Sequence, residues 1–225
     1  MDALLIFDFD GVIADSEVLS NMVLADIVTA LGLPTTLEDS YARYMGKRPD
    51  DLVAAIEADL GRPLPEGFNE NFQGETLDRF RRDLMPVAGV RDYIETFGHV
   101  PKCIASSSSP KRLNTCLDIL ALRDEFAPHV YSASMVERGK PHPDIFLHAA
   151  GNVGIEPNRC VVIEDSPSGV KAAIAAGMRV IGLTAASHIQ HDHYQQLSAA
   201  GAHHVVATFD KAADATHRML SELEA

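Results

Sequence analysis

The sequence predicts an α/β protein, in which a parallel sheet carries helices on both faces and a small helical domain is inserted after the first strand. Two patterns lead to this fold class. Short apolar runs alternate with helix-length stretches in the second half of the chain, and such alternation is typical of parallel sheets. Residues 15–86 instead show helical spacing of apolar side chains without a strand pattern. The 225 residues suit one core of ordinary size with a modest insertion.

The first predicted strand runs from Ala3 to Phe7 and leads directly into acidic residues. Helical spacing follows it in two apolar series, which are Val18, Met22, Ala25 and Val28, then Leu52, Ala55, Ile56 and Leu60. The alternation of strand and helix patterns resumes after residue 86. We therefore predict an α/β core domain at 1–14 and 87–225 and a helical domain at 15–86.

Five more strands are predicted, at Pro101 to Ala105, Val130 to Ala133, Cys160 to Ile163, Arg179 to Leu183 and His203 to Ala207. Four helices are predicted between them, at Pro110 to Leu120, Pro143 to Val153, Pro167 to Ala176 and Asp192 to Ala200. Two of these helices have start signals, because Ser109 and Ser166 each precede a proline. A serine N-cap followed by proline at the first helical position favours a helix start.

Composition and charge narrow the range of partners and locations. Hydrophobic residues make up 46% of the chain and charged residues 23%, which is typical of a folded globular protein. The net charge of -13 repels nucleic acids and anionic membranes, so we expect neither as a partner. The cysteines, Cys103, Cys116 and Cys160, form no CxxC pair and are interpreted as packing residues in a reducing cytoplasm. The oligomeric state is left open by the sequence, with a monomer favoured.

Carboxylates and hydroxyls follow three of the predicted strands. They are Asp8 and Asp10 after the first strand, Ser106 and Ser107 after the strand that ends at Ala105, and Glu164 and Asp165 after the strand that ends at Ile163. Ligands bind at the carboxyl ends of strands in open α/β sheets, so we expect these side chains to lie together. Clustered carboxylates without cysteine or paired histidine ligands favour a hard cation such as Mg²⁺.

Two further groups of residues each allow a functional and a structural interpretation. Lys140, in a proline-rich turn, is either a surface lysine or the fixed positive charge of an anion site. The second group is a set of closely spaced histidines, which are His188, His191, His193, His203 and His204. Such histidines can bind transition metals, but a polar surface rich in histidine is the favoured interpretation.

The ordered motifs resemble those of the haloacid dehalogenase superfamily, and specifically its phosphatase and phosphomutase branch with β-phosphoglucomutase-like enzymes. The four signatures occur in order as Asp8-Phe9-Asp10-Gly11-Val12, Ser106, Lys140 and Glu164-Asp165. The resemblance covers nearly the whole chain. It implies a Rossmann-like core and identifies the inserted helical domain as a cap that closes over the phosphate site.

The resemblance also implies a role for each motif residue. Asp8 would be the nucleophile that forms an aspartyl-phosphate, and Asp10 the general acid and base. Mg²⁺ would be held by Asp8, the Asp10 carbonyl and Asp165, with Glu164 binding directly or through water. The phosphoryl oxygens would be held by Lys140, Ser106 and backbone amides near Gly11 and Ser107.

The function implied is that of a phosphoric monoester hydrolase, a Mg²⁺-dependent phosphatase acting on a small phosphorylated metabolite such as a sugar, polyol or sugar-acid phosphate. Asp10 argues against a dehalogenase, since halide departure needs no proton. A hexose phosphomutase is the alternative. Ser20, where the mutases place a histidine, and a serine run without their following lysine favour hydrolysis instead. A non-catalytic binding module is the third possibility.

A basic loop in the helical domain is the candidate for substrate selection. Arg43, Lys47 and Arg48 group around Gly46 in a chain of negative net charge. A solvated basic turn would have the same composition. Under the family resemblance, these residues would contact hydroxyls or a second anionic group of the substrate.

Overall fold

A six-stranded, fully parallel sheet forms the centre of the larger part of the chain. The computed structural model describes residues 3–47, 49–189 and 192–224. The strands are β1 (Leu4–Phe7), β2 (Lys102–Ser106), β3 (Val130–Ser132), β4 (Cys160–Glu164), β5 (Arg179–Leu183) and β6 (His204–Val206). Their order across the sheet is β3-β2-β1-β4-β5-β6. The predicted α/β fold class is confirmed, and each predicted strand is present with its ends within one residue.

Eleven α-helices accompany these strands in the described ranges. They are α1 (Glu17–Ala30), α2 (Leu37–Arg43), α3 (Pro49–Leu60), α4 (Phe68–Asp83), α5 (Val90–Thr96), α6 (Pro110–Ile119), α7 (Arg123–Phe126), α8 (Asp144–Val153), α9 (Pro167–Ala175), α10 (His193–Ala200) and α11 (Phe209–Glu224). The four helices predicted between the strands, now α6, α8, α9 and α10, are found within one residue of their predicted ends. None of the helices that the structure describes is long and apolar enough to cross a membrane.

The central strand β1 is buried on both faces. Leu4 and Ile6 belong to one apolar cluster with residues of α8 and α9. Side chains alternate between the faces of a strand, and Phe7 accordingly makes edge-to-face ring contacts with Tyr93 of α5 and Phe126 of α7, at centroid distances of 5.8 and 5.5 Å. A parallel strand covered by helices on both sides needs apolar residues at every position, which explains the uninterrupted apolar run.

Two helices start where their serines predict. The Ser109 side chain accepts a hydrogen bond from the Arg112 backbone N–H at the start of α6. The Ser166 side chain does the same for the Gly169 N–H at the start of α9. Both serines follow strand ends, so each cap fixes how a helix leaves the sheet edge.

The chain divides into two compact units, Met1–Asp15 with Met85–Ala225, and Ser16–Leu84. The predicted domain boundaries differ from these by one or two residues. The smaller unit consists of α1 to α4, and its apolar centre includes Val28 of α1, Ile56 of α3 and Phe68 of α4. The three cysteines belong to the larger unit and are buried free thiols, as their interpretation as packing residues required.

A buried hydrogen bond joins α5 to α11 in the larger unit. The Tyr93 hydroxyl and Thr216 Oγ1 lie 2.6 Å apart, and both side chains are buried. Replacing Tyr93 with Phe leaves the Thr216 hydroxyl without this partner. We expect Tyr93→Phe to lower the free energy of unfolding by about 1–3 kcal/mol, the usual cost of a buried polar group that loses its hydrogen bond. Urea denaturation of the variant and the wild type measures this difference in the free energy of unfolding.

The double variant Tyr93→Phe with Thr216→Val is the control. It removes both polar groups, so we expect it to recover part of the stability that the single variant loses. A single variant that unfolds at the same urea concentration as the wild type would show that the hydrogen bond contributes nothing.

Candidate active site

The predicted carboxylates and serines lie at the carboxyl ends of β1, β2 and β4, which are neighbours in the sheet. Ser106 and Glu164 are the last residues of β2 and β4, and the others follow the strand ends. The strand order reverses at β1, and such a reversal opens a crevice at the carboxyl ends of the strands. The ladder between β1 and β4 extends to the first site residue, because the Asp8 N–H donates to the Ile163 carbonyl at 2.9 Å. Asp8, Glu164 and Asp165 are all buried, and a potential ligand atom of each lies within 4.8 Å of the others. The structure therefore brings three of the predicted carboxylates together.

Lys140 bridges two carboxylates of this cluster. Its Nζ donates to Asp8 Oδ1 at 2.6 Å and to Glu164 Oε1 at 2.7 Å, and only 4% of its side chain is exposed. The ammonium also lies 5.0 Å from the ring centroid of Phe146 in α8, a favourable cation–π arrangement. The interpretation of Lys140 as a surface lysine is therefore wrong.

Burial and neighbouring charges perturb both partners of this ion pair. Burial raises the pKa of Asp8 to about 7, with Lys140 acting in the opposite direction and Glu164 adding to the rise. For Lys140, burial alone would lower the pKa, but Asp8 and Glu164 outweigh it and hold the pKa above its usual value. The ammonium thus stays protonated at neutral pH and supplies a fixed positive charge.

Glu164 connects Lys140 to the start of α9. Its Oε1 accepts from Lys140, and its Oε2 accepts from the backbone N–H and the hydroxyl of Ser166 at 2.6 and 2.9 Å. A Cβ added at Gly169 would lie 1.5 Å from Glu164 Oε1, so the helix approaches the carboxylate closely only because residue 169 is glycine. Glu164 is held by donors at both oxygens.

Asp165 is enclosed by Gly11 and two histidines. Gly11 has a φ of +82°, and a Cβ there would lie 1.8 Å from Asp165 Oδ2, so both the backbone conformation and the close approach require glycine. His188 Nε2 lies 3.4 Å from the same oxygen, and His193 Nε2 donates to the Asp165 carbonyl. Burial, with His193 adding to it, lowers the pKa of His188 to about 4.

The polar-surface interpretation of the histidines is therefore wrong for His188, which is 8% exposed. Sequence reasoning missed its position because no motif marks the loop after β5. His203 is exposed, and its Nδ1 accepts from the Val180 N–H at 3.1 Å. His204 lies in β6, and His191 lies outside the described residues.

Asp10 is held by two residues that the sequence analysis did not assign to the site. Arg112 Nη2 donates to Asp10 Oδ1 at 2.6 Å, and the Ser108 hydroxyl donates to Asp10 Oδ2 at 2.5 Å. Ser106 is buried, and its Oγ accepts from the Ser108 backbone N–H at 3.0 Å. Ser107 is exposed. The available signal was the position of Arg112 in the first turn of the helix that follows β2.

The predicted basic loop belongs to the smaller unit. Arg43, at the end of α2, lies 3.1 Å from Asp39 and 3.4 Å from Asp59. Lys47 is exposed, and Arg48 lies outside the described residues. The structure thus gives Arg43 partners within its own unit, and a role of this loop in substrate binding stays a prediction.

Comparison with known proteins agrees with the motif resemblance. A family model described as haloacid dehalogenase-like hydrolase matches residues 3–177. Hexitol phosphatase B of Escherichia coli is 30% identical over 188 residues, covering 78% of this chain and 81% of that protein. The chloroplastic protein SUPPRESSOR OF QUENCHING 1 of Arabidopsis thaliana is 32% identical over 189 residues. These are 79% of this chain but only 17% of that much longer protein.

Solved structures agree as well. A haloacid dehalogenase-like protein from Agrobacterium tumefaciens superimposes with a TM-score of 0.85 at 37% identity, covering 96% of this chain and 98% of that one. The resemblance read from the sequence motifs is confirmed. Since the family model spans well over half of the residues, the chain belongs to the haloacid dehalogenase-like hydrolases.

Proposed function

We propose that the protein is a Mg²⁺-dependent phosphatase that hydrolyses a sugar, polyol or sugar-acid phosphate through an aspartyl-phosphate on Asp8. The observation that carries this proposal is the position of Asp8. Its carboxylate is buried at the end of the central strand, 2.6 Å from a protonated lysine and next to two further carboxylates. A nucleophilic carboxylate needs the positive neighbour, because the phosphoryl group that it attacks is itself an anion. The two further carboxylates would serve this reaction by holding a cation.

The donor set fits a hard divalent cation. The three carboxylates of Asp8, Glu164 and Asp165 lie together. Within the described part of the chain one ammonium, that of Lys140, lies between two of them, so the carboxylates outnumber it. Oxygen ligands favour Mg²⁺ over softer metals. Both Glu164 oxygens already accept hydrogen bonds, so we expect Asp8, Asp165 and the Asp10 carbonyl to bind the ion directly and Glu164 to act through water. When bound, Mg²⁺ would neutralise charge on the phosphoryl oxygens.

The proposed reaction has two displacements at phosphorus. Asp8 attacks the phosphorus atom, and the bond to the substrate oxygen breaks as Asp10 gives that oxygen a proton. Water then attacks the aspartyl-phosphate and loses a proton to Asp10, so that inorganic phosphate is released and Asp8 is regenerated. Lys140 and Ser106 would hold the phosphoryl oxygens in both steps, with backbone amides near Gly11 and Ser107.

The substrate class rests on the relatives and on the smaller unit. The similarity to a hexitol phosphatase supports a phosphorylated polyol or sugar. We propose that the basic loop contributes to selectivity. Of the two basic residues of this loop that the structure describes, Lys47 is the better candidate for substrate binding. Arg43 would have to give up its ion pairs with Asp39 and Asp59 to bind a ligand. The net charge of -13 disfavours nucleic acids and anionic membranes as partners. We therefore propose the phosphorylated metabolite as the partner, and the cytoplasm as the location of the enzyme.

A phosphate-release screen across phosphorylated sugars, polyols, sugar acids and nucleotides tests the proposal. We expect one of the first three classes to give the highest kcat/KM. A sugar monophosphate supplied with its bisphosphate distinguishes the mutase alternative. If the sugar phosphate is isomerised and no phosphate is released, the protein is a mutase and not a phosphatase. If no substrate reacts, the binding module is the favoured interpretation.

The nucleophile is tested by Asp8→Asn. The amide has nearly the same shape but is a poor nucleophile, so we expect hydrolysis of an aryl phosphate to fall below detection while the circular dichroism spectrum stays unchanged. Asp210→Asn removes a carboxylate from an exposed position in α11 and should keep full activity. An Asp8→Asn variant with turnover near that of the wild type would exclude Asp8 as the nucleophile.

Metal removal gives a second test. We expect EDTA to abolish turnover, Mg²⁺ to restore it, and Ca²⁺ to restore it only in part, because Ca²⁺ prefers longer bonds and more ligands than an octahedral site offers. Mg²⁺ should also raise the unfolding temperature of the wild type, and this shift should be smaller in Asp165→Asn. Full turnover after exhaustive chelation would contradict the proposed metal dependence.

The basic loop is tested by comparing two substrates. Replacing Lys47 and Arg48 with Ala should lower kcat/KM for the preferred metabolite by about 10- to 100-fold, as expected for the loss of one or two charge-assisted hydrogen bonds. Hydrolysis of a small aryl phosphate should change little, since it lacks the metabolite's polar groups. Arg43→Ala is measured separately, because its ion pairs give it a structural role. Equal losses on both substrates would show that the loop does not determine selectivity.

A further inference from the structure

The contacts of Asp10 include Arg112, a residue to which the proposed reaction gives no role. Both carboxylate oxygens are held, one by Ser108 in the segment that joins β2 to α6 and the other by Arg112 in the first turn of α6. Arg112 donates to Oδ1 at 2.6 Å and Ser108 to Oδ2 at 2.5 Å. The Asp10 side chain is 15% exposed and that of Arg112 is 22% exposed, so the pair is largely shielded from water.

The backbone that carries these two donors, from Ser108 to the first turn of α6, is held by further hydrogen bonds. The Ser108 N–H donates to Ser106 Oγ at 3.0 Å, and the Ser108 carbonyl accepts from the Ser132 hydroxyl at 2.7 Å. Ser109 caps the first turn of α6 by accepting from the Arg112 N–H. Arg112 therefore extends from a backbone position that is set by the sheet edge and by the helix start.

We propose that Arg112 is a positioning residue that holds the Asp10 carboxylate in place for its proton transfers. This inference rests on the proposed function, in which Asp10 gives a proton to the leaving oxygen and later takes one from water. Proton transfer requires a carboxylate oxygen within hydrogen-bonding distance of the reacting group. Arg112 and Ser108 set the orientation of the Asp10 side chain before substrate binds.

The two donors suit different parts of this cycle. A guanidinium can only donate, whereas a hydroxyl can donate to a carboxylate or accept from a carboxylic acid. Ser108 can therefore stay bonded to Asp10 in both of its forms. Arg112 can donate to the remaining acceptor oxygen of the acid, but it pairs more strongly with the ionised form. The ionised form is the one that takes the proton from water, so we expect the loss of Arg112 to slow the second displacement more than the first.

A double-mutant cycle distinguishes positioning from direct substrate binding. The variants are Arg112→Ala, Asp10→Asn and the two together, and kcat and KM are measured with the preferred sugar or polyol phosphate. We expect Arg112→Ala to lower kcat by about 10- to 100-fold, within the range attributed to acid–base catalysis, with KM changed less than threefold. The double variant should be no slower than Asp10→Asn alone, because Arg112 acts through Asp10.

Additional variants exclude a merely structural effect. Arg112→Lys keeps a donor and should recover part of the lost kcat. Lys111→Ala removes a positive charge from the neighbouring exposed position of the same helical turn and should leave kcat unchanged. With an aryl phosphate, whose leaving group needs no proton, the first-turnover burst should persist in Arg112→Ala while the steady-state rate falls.

The outcomes separate this inference from the proposed function. Additive losses in the cycle, or a loss confined to KM, would overturn the positioning role and make Arg112 a substrate-binding residue. If Arg112→Ala and Asp10→Asn are coupled in their effect on the unfolding temperature but not on kcat, the contact between the two residues is structural. That result would also overturn the positioning role. A wild-type chain without phosphatase activity, or an active Asp8→Asn variant, would overturn the proposed function, and the inference with it.

Discussion

The burial of one ammonium between two carboxylates is the interaction on which the site depends. Lys140 contacts Asp8 and Glu164, and removal of either carboxylate would leave a buried charge with one partner fewer, at a cost of several kcal/mol. Glu164 in turn accepts a hydrogen bond from the backbone N–H of Ser166, which precedes α9. A single positive charge thereby fixes the ends of β1 and β4 and the start of one helix relative to one another.

The fold and much of the site were predictable because their determinants are local or follow from chain topology. Strands covered on both faces must be apolar throughout, and serine followed by proline marks a helix start wherever it occurs. Parallel strands place their carboxyl ends at one edge of the sheet. Residues that follow those ends, such as Asp8 and Asp165, therefore meet whatever the packing details are. The assignment of chemical roles to them came from the family resemblance.

The parts that were missed depend on contacts between distant segments. Arg112 joins the site through the direction in which α6 leaves the sheet, and His188 through the path of the loop after β5. The sequence places Arg112 in the first turn of a helix that follows β2, but neither the contact of Arg112 with Asp10 nor that of His188 with Asp165 follows from residue type or spacing. The helix α11 is a different case, since buried Phe209, Ala212 and Met219 recur at helical spacing that the sequence already showed. That helix was overlooked although the pattern for it was present.

The position of β1 in the sheet has a consequence for how the protein folds as it is made. Leu5 pairs with Lys102 and Leu4 with Cys160, so the central strand gains its second neighbour only after more than 150 further residues have been made. The four helices of Ser16–Leu84 contact one another within that segment and can form early. Pairings between distant segments form slowly, and an unpaired apolar strand is prone to aggregate. One edge of the central strand β1 therefore lacks its partner until residues 160–163 have been made.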